Sequence, residues 1–268
     1  MAASLVRGAD REVAIGRIFE RSFATIGHNL AVTIGLALLF GAIPSALMTW
    51  GVSYLQRTDF RDYSAAFMAG LYAAMLTSWI MGLAINALVQ GVLTQATLAE
   101  SEGRKASIGE SLRSALPVIL PLIGLSILLA LGVAAGFILL IVPGVMLYLA
   151  WSVAAPALVA ERQGIRAAFR RSWELTRGSR WKIFAMILIL YILYYLFSGV
   201  VSLVSIWLLG ARSLSGFGQD LSVGFMIMNL VVGLVVNLLW GSAQASLYVE
   251  LRDAKDGPST SNLEEVFA

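Results

Sequence analysis

Three glutamates stand at matching places along the chain. Glu100 ends "ATLAE" (Ala96 to Glu100), Glu161 ends "ALVAE" (Ala157 to Glu161) and Glu250 ends "SLYVE" (Ser246 to Glu250). Each closes a long uncharged run. A carboxylate at a helix C-terminus meets the negative end of the macrodipole and needs a cation beside it. The chemistry on offer is therefore ion pairing, read either as a structural pin or as a gate over a headgroup site. Catalytic residue types are scarce. His28 is the only histidine and there is no cysteine, whereas a zinc site needs about three or four gathered ligands. His28 reads as an interfacial residue at the mouth of a span. No Ser-His-Asp set, P-loop or dinucleotide glycine pattern occurs. No catalytic residue, metal or cofactor is expected, and thiolate or disulfide chemistry is excluded.

The elements that hold these glutamates follow from composition. The chain has 268 residues, 59% hydrophobic and 13% charged, with a mean hydropathy of +0.81. Soluble domains carry about 25% charged residues, so this chain is built for a solvent other than water. Ser64 to Ala99, Leu116 to Ala160, Ile183 to Gly210 and Leu221 to Val249 contain no charge. About 20 apolar residues cross a hydrocarbon core of roughly 30 Å. Each run holds one span, except Leu116 to Ala160, which holds two with a break at "IVPGV" (Ile141 to Val145). Leu30 to Trp50 adds another, too long and too far in for a signal-peptide core. An all-α integral membrane protein of six transmembrane helices is expected, with Pro156 kinking the fourth.

All of the 19 Lys and Arg except Arg57, Arg61 and Arg212 fall before span one, in the connections near 100–115 and 161–182, or in the C-terminal tail. The positive-inside rule then places both termini in the cytoplasm. These connections have helical patterning. Ile165, Phe169, Trp173 and Thr176 share one face, with Ala168 and Leu175 beside them, and Arg166, Arg170, Glu174 and Arg177 lie opposite. That is the pattern of an amphipathic helix lying in the membrane interface, where each arginine adds about 1 kcal/mol of attraction to anionic lipid. Ile15, Phe19 and Phe23 repeat the frame, with Arg21-Ser22 matching Arg171-Ser172. Ile108, Leu112 and Leu116 form a weaker copy, with Arg113 at the place of Arg170.

Three amphipathic interfacial helices, each followed by a two-span hairpin, give candidate repeats over 10–100, 104–161 and 164–250. Together they make one membrane domain, 1–250, ahead of a polar cytoplasmic tail, 251–268. Generic membrane-protein patterning accounts for part of that match. Arg17, Arg113, Arg166, Arg170 and Arg177 are assigned to lipid or partner contact. Arg21 and Arg171 are assigned to ion pairs with Glu100, Glu161 and Glu250, Arg171 meeting Glu161 first. Asn86 and Gln90 of span two, with Asn229 and Asn237 of span six, either pack between helices or line a polar cavity. Gln95 and Gln244 belong to the same set. "GVAAG" (Gly132 to Gly136) permits close helix approach. Trp151 and Trp240 read as packing residues, and Trp207 as part of an outer aromatic belt.

The block from Trp151 to Lys182 resembles the membrane-domain family found fused to glycerophosphoryl diester phosphodiesterases, and related stand-alone bacterial inner-membrane proteins. The resemblance rests on Trp151, Pro156, Glu161, Gly164, Ala168, Arg171, Ser172, Trp173, Leu175 and Gly178, with "YVELRDAK" (Tyr248 to Lys255) as a matching close. It implies a multi-helix module of the bacterial inner membrane, tied by fusion to phospholipid metabolism. The hydrolase of such fusions is a soluble barrel rich in histidine and carboxylate, which this chain does not contain, so its activity is not carried over. The expected function is a non-enzymatic module engaging phospholipid headgroups, a membrane protein partner or a second copy of itself. The alternative is a transporter or channel using the amides of spans two and six. No nucleic-acid partner is expected.

Overall fold

A computed structural model describes residues 13–28, 65–101, 113, 116–209 and 223–257. The first expected span, most of the 106–115 connection, the loop with Arg57 and Arg61, and residues 258–268 lie outside the described residues. Among those described, the chain is helical and has no strand. The helices are α1 (Ile15–His28), α2 (Ala65–Ser101), α3 (Ile119–Leu139), α4 (Ile141–Ala150), α5 (Ala154–Glu161), α6 (Ile165–Thr176), α7 (Arg180–Leu209) and α8 (Val223–Asp256). Among the described residues, four stretches are long and apolar enough to cross a membrane: Ile119–Leu139, Ile141–Glu161, Arg180–Val204 and Val231–Asp256.

The long run breaks earlier than its proline and glycine. Leu140 is extended (φ −166°, ψ 153°) and caps α3 and α4 alike. Pro143 falls in the first turn of α4, where its missing N–H has no helical partner to lose. The proline therefore marks a helix start, and the break precedes it. The same logic moves the expected kink at Pro156. Helicity lapses over Trp151–Val153, and Pro156 sits in the first turn of α5.

Glycine lets α3 and α4 fold tightly together. A Cβ at Gly136 would lie 2.9 Å from the Cα of Gly144, and one at Gly132 would strike the Trp151 ring. Trp151 also packs against Phe169 of α6, with ring centroids 4.8 Å apart and the rings tilted by 60°.

The packed core lies toward one end of the bundle. Ile18 of α1, Val153 and Ala157, Leu175 of α6, Ile183 and Met186 of α7, and Leu247 and Tyr248 of α8 form one buried cluster. A second joins Ala87, Leu122, Leu125, Leu158 and Ala168. Within lipid there is little hydrophobic drive between helices, so close backbone approach and hydrogen bonding carry association. The segment "GSAQAS" (Gly241 to Ser246) of α8 fits that need, since a side chain at Gly241 would collide with Leu93 of α2. Buried Thr94, Thr97 and Ser242 bond carbonyls one turn back in their own helices. Ser22 does the same and also reaches Ser246 Oγ at 3.2 Å, joining α1 to α8.

Candidate functional site

The turn between α5 and α6 brings the charges together. Arg162 is left-handed (φ 52°), and Gly164 takes φ +88° with ψ 168°, a region open only to glycine. The chain reverses over three residues, laying α6 across the end of α5. Ala168, Ser172, Leu175 and Thr176 become the buried side of α6. Ser172 Oγ donates to the carbonyl of Ala150 at 2.8 Å, an acceptor left over where α4 ends.

The apolar face of the wheel is unevenly covered, Trp173 being 43% exposed, beyond the half-buried Ile165 and Phe169. The seating is turned toward Ser172 because that hydroxyl has an acceptor to meet. Arg180 of α7 lies over the Trp173 ring, 4.4 Å from its centroid. Arg166, Arg170 and Arg177 are exposed on the outer side, as is Arg113.

Arg171 is the centre of the site. Its Nε donates to Glu161 Oε1 at 2.7 Å, and its Nη atoms donate to the carboxylate of Asp256. Burial alone would lower its pKa, but the bonds and charges of Asp256 and Glu161 outweigh that and raise it above the usual arginine range. Glu161 Oε1 also accepts the Tyr248 hydroxyl at 3.0 Å. One guanidinium and one phenol thus tie α5, α6 and α8 together. Lys255 Nζ adds a bond to the carbonyl of Glu174.

Asp256 and Lys255 were expected in a polar tail. In fact α8 runs through Asp256, and Leu251 is buried within it. Glu250 is accordingly not a helix end. Its carboxylate lies against the start of α1, accepting from the Ala14 N–H at 3.4 Å and from Arg17 Nε at 2.9 Å. An anion at a helix N-terminus is favourably placed, so Glu250 has two sources of compensation.

This corrects one assignment. Arg17, expected to face headgroups, holds Glu250, and Arg21 lines the adjoining cleft with Arg17, Glu250 and Asp253. Arg17 lies one turn nearer the start of α1, where α8 crosses it.

The amides resolve partly. Gln90 Nε2 donates to Gln244 Oε1, joining α2 to α8. Gln95 reaches the Val159 carbonyl at 3.5 Å, and exposed Asn237 bonds the Gly233 carbonyl of its own helix. The side-chain placements of Asn86, Glu100, Asn229 and His28 lie outside the described residues. Among those described, no cluster of His, Cys, Asp or Glu could hold a metal ion.

A cleft of about 330 Å³ opens beside Arg171, lined by Glu161, Gln163, Ala167, Arg170, Arg171 and Glu174. The cleft beside Arg17 is smaller, about 170 Å³. The bundle and its charged end describe a helical membrane protein. Residues 63–251 match the family described as a domain of unknown function, DUF7847, and the chain belongs to it. It is also similar to a UPF0259 membrane protein of Pectobacterium carotovorum, 30% identical over 111 residues. That match covers 41% of this chain and 41% of the relative, so the chain spans about two fifths of its relative's length. No solved structure matches.

Proposed function

We propose that this protein is a non-enzymatic module of the bacterial inner membrane that engages phospholipid headgroups through α6 and α1. The observation that carries the reading is the division of α6. Its inner side is locked into the bundle through Ser172 and Arg171, while Trp173, Arg166, Arg170 and Arg177 remain exposed. Phe23 of α1, at the place equivalent to Trp173, is 56% exposed. An exposed aromatic ring beside arginines suits the boundary between acyl chains and headgroups. The basic connections support a cytoplasmic placement of both termini, and the uncharged runs support six spans. The threefold repeat belongs to the same reading, as does the link to phospholipid metabolism drawn from the glycerophosphodiesterase-associated membrane domains.

A solute path finds less support, because Gln90 and Gln244 bond each other. Native mass spectrometry of the detergent-solubilised protein with added phosphatidylglycerol tests the headgroup reading. Wild type retains lipid through Arg166 and Arg177, and Arg166→Ala/Arg177→Ala loses most of it. Equal retention by the two would refute the reading.

A further inference from the structure

The cleft between α5 and α6 carries a balanced set of charges. Its walls hold two guanidinium groups, Arg170 and Arg171, and two carboxylates, Glu161 and Glu174. A simple anion entering it meets as much repulsion as attraction. A ligand with both signs a few bonds apart is the complementary guest. At about 330 Å³ the space lies at the small end of the roughly 300–1,000 Å³ range of small-ligand sites.

The wall groups differ in how far they are committed. Arg171 spends its donors on Glu161 and Asp256 and closes the back of the cleft. Arg170 stands 3.9 Å from Glu174, with side chains 76% and 57% exposed. That separation is attractive but too long for a hydrogen bond, so both groups keep their capacity for a ligand. Both bonds to Glu161 fall on Oε1, and Oε2 takes none among the described residues. Among the described residues, the loosely paired Arg170 and Glu174 and the Oε2 of Glu161 therefore face the same space, with the Gln163 amide beside them.

We propose that this cleft binds a primary-amine phosphodiester headgroup of the phosphoethanolamine type, with phosphate on Arg170 and ammonium between Glu174 and Glu161. The proposal rests on the headgroup reading above and narrows it. A guanidinium takes a phosphate through paired N–H donors. A primary ammonium has three donors for the carboxylates, whereas a trimethylated amine has none. A serine headgroup brings an extra carboxylate that the balanced walls do not match. The membrane is the source the surroundings favour. Trp173 is exposed on the same helix, and Trp181, at the start of α7, is 84% exposed.

The test is competitive native mass spectrometry of the full-length protein with equimolar phosphatidylethanolamine, phosphatidylcholine and phosphatidylglycerol. Wild type is expected to retain the ethanolamine lipid over the choline lipid. Glu174→Gln should erase that preference, roughly a tenfold loss for one charge-assisted contact, and leave phosphatidylglycerol retention unchanged. Glu174 is a suitable probe because Lys255 bonds its backbone carbonyl, which the substitution preserves. Phosphatidylglycerol retention without an ethanolamine preference overturns the cleft proposal alone. Failure to retain any phospholipid overturns the headgroup reading with it. Soluble glycerophosphoethanolamine should displace the lipid only weakly; binding of that compound as tightly as the lipid would overturn the membrane source. Equal displacement by glycerol phosphate, which lacks the amine, would overturn the zwitterion match.

Discussion

Arg171 of α6 and Tyr248 of α8 meet on a single oxygen, Oε1 of Glu161, at 2.7 and 3.0 Å. The side chains of Arg171 and Glu161 are 23% and 21% exposed, so the pair is only partly screened by water. Removing Arg171 strands two carboxylates, Glu161 and Asp256. Arg171→Ala should cost about 1–3 kcal/mol, with Tm in detergent falling on the order of 5 °C. Arg170→Ala removes a long, exposed pair and should cost under about 1 kcal/mol. Thermal unfolding followed by circular dichroism separates the two, and equal shifts would refute the distinction.

The Arg17–Glu250 contact predicts strong coupling. Glu250 is buried and its carboxylate bonds Arg17 directly, so losing Arg17 removes a charge-assisted bond from a poorly solvated anion. Arg17→Ala should cost about 2 kcal/mol and Glu250→Gln less, with a coupling of about 1–3 kcal/mol between them. Denaturant titration of the two single variants and the double variant measures it. Simple additivity would show that the contact contributes nothing.

Two glycines of α8 should respond differently to the same change. A Cβ at Gly241 meets Leu93, whereas one at Gly233 meets nothing within 4 Å. Gly241→Ala should cost about 1–3 kcal/mol through overpacking. Gly233→Ala should be neutral or mildly stabilising, by up to about 1 kcal/mol. Comparable losses at both sites would mean that α2 and α8 do not approach closely at Gly241.

Because the chain has no cysteine, single cysteines report on α6 without a background. Arg170→Cys should react readily with a membrane-impermeant maleimide in detergent. Ala168→Cys, at a position only 3% exposed, should react on the order of tenfold more slowly or worse. Similar rates would place α6 on a different face.

Much of this arrangement was legible before any coordinates. The pairing of Arg171 with Glu161 follows from a helix angle and a span end ten residues earlier, both local. The partner of Glu250 was not local. Arg17 lies 233 residues away in sequence, and α1 is brought against α8 by Ile18, Ser22 and Ser246. Asp256 was missed because its neighbours are polar and a glycine follows. Yet α8 continues to the last residue before Gly257, which has φ +88° as a helix-terminating glycine does. The breaks at Leu140 and Trp151–Val153 show prolines acting as first-turn residues, which their type alone does not distinguish from kinks.

Among the described residues, α7 has few protein neighbours beyond its base. Ile183, Met186, Ile187 and Leu190 are buried, but Tyr195, Leu196, Leu203 and Trp207 are each more than three fifths exposed. Acyl chains of a surrounding bilayer are suited to cover these side chains. The outer reach of this helix is solvated by its annulus of lipid, and its order depends on bilayer thickness as well as on sequence. Short-chain detergents should fray that half first, well before the charge-pinned end of the bundle gives way.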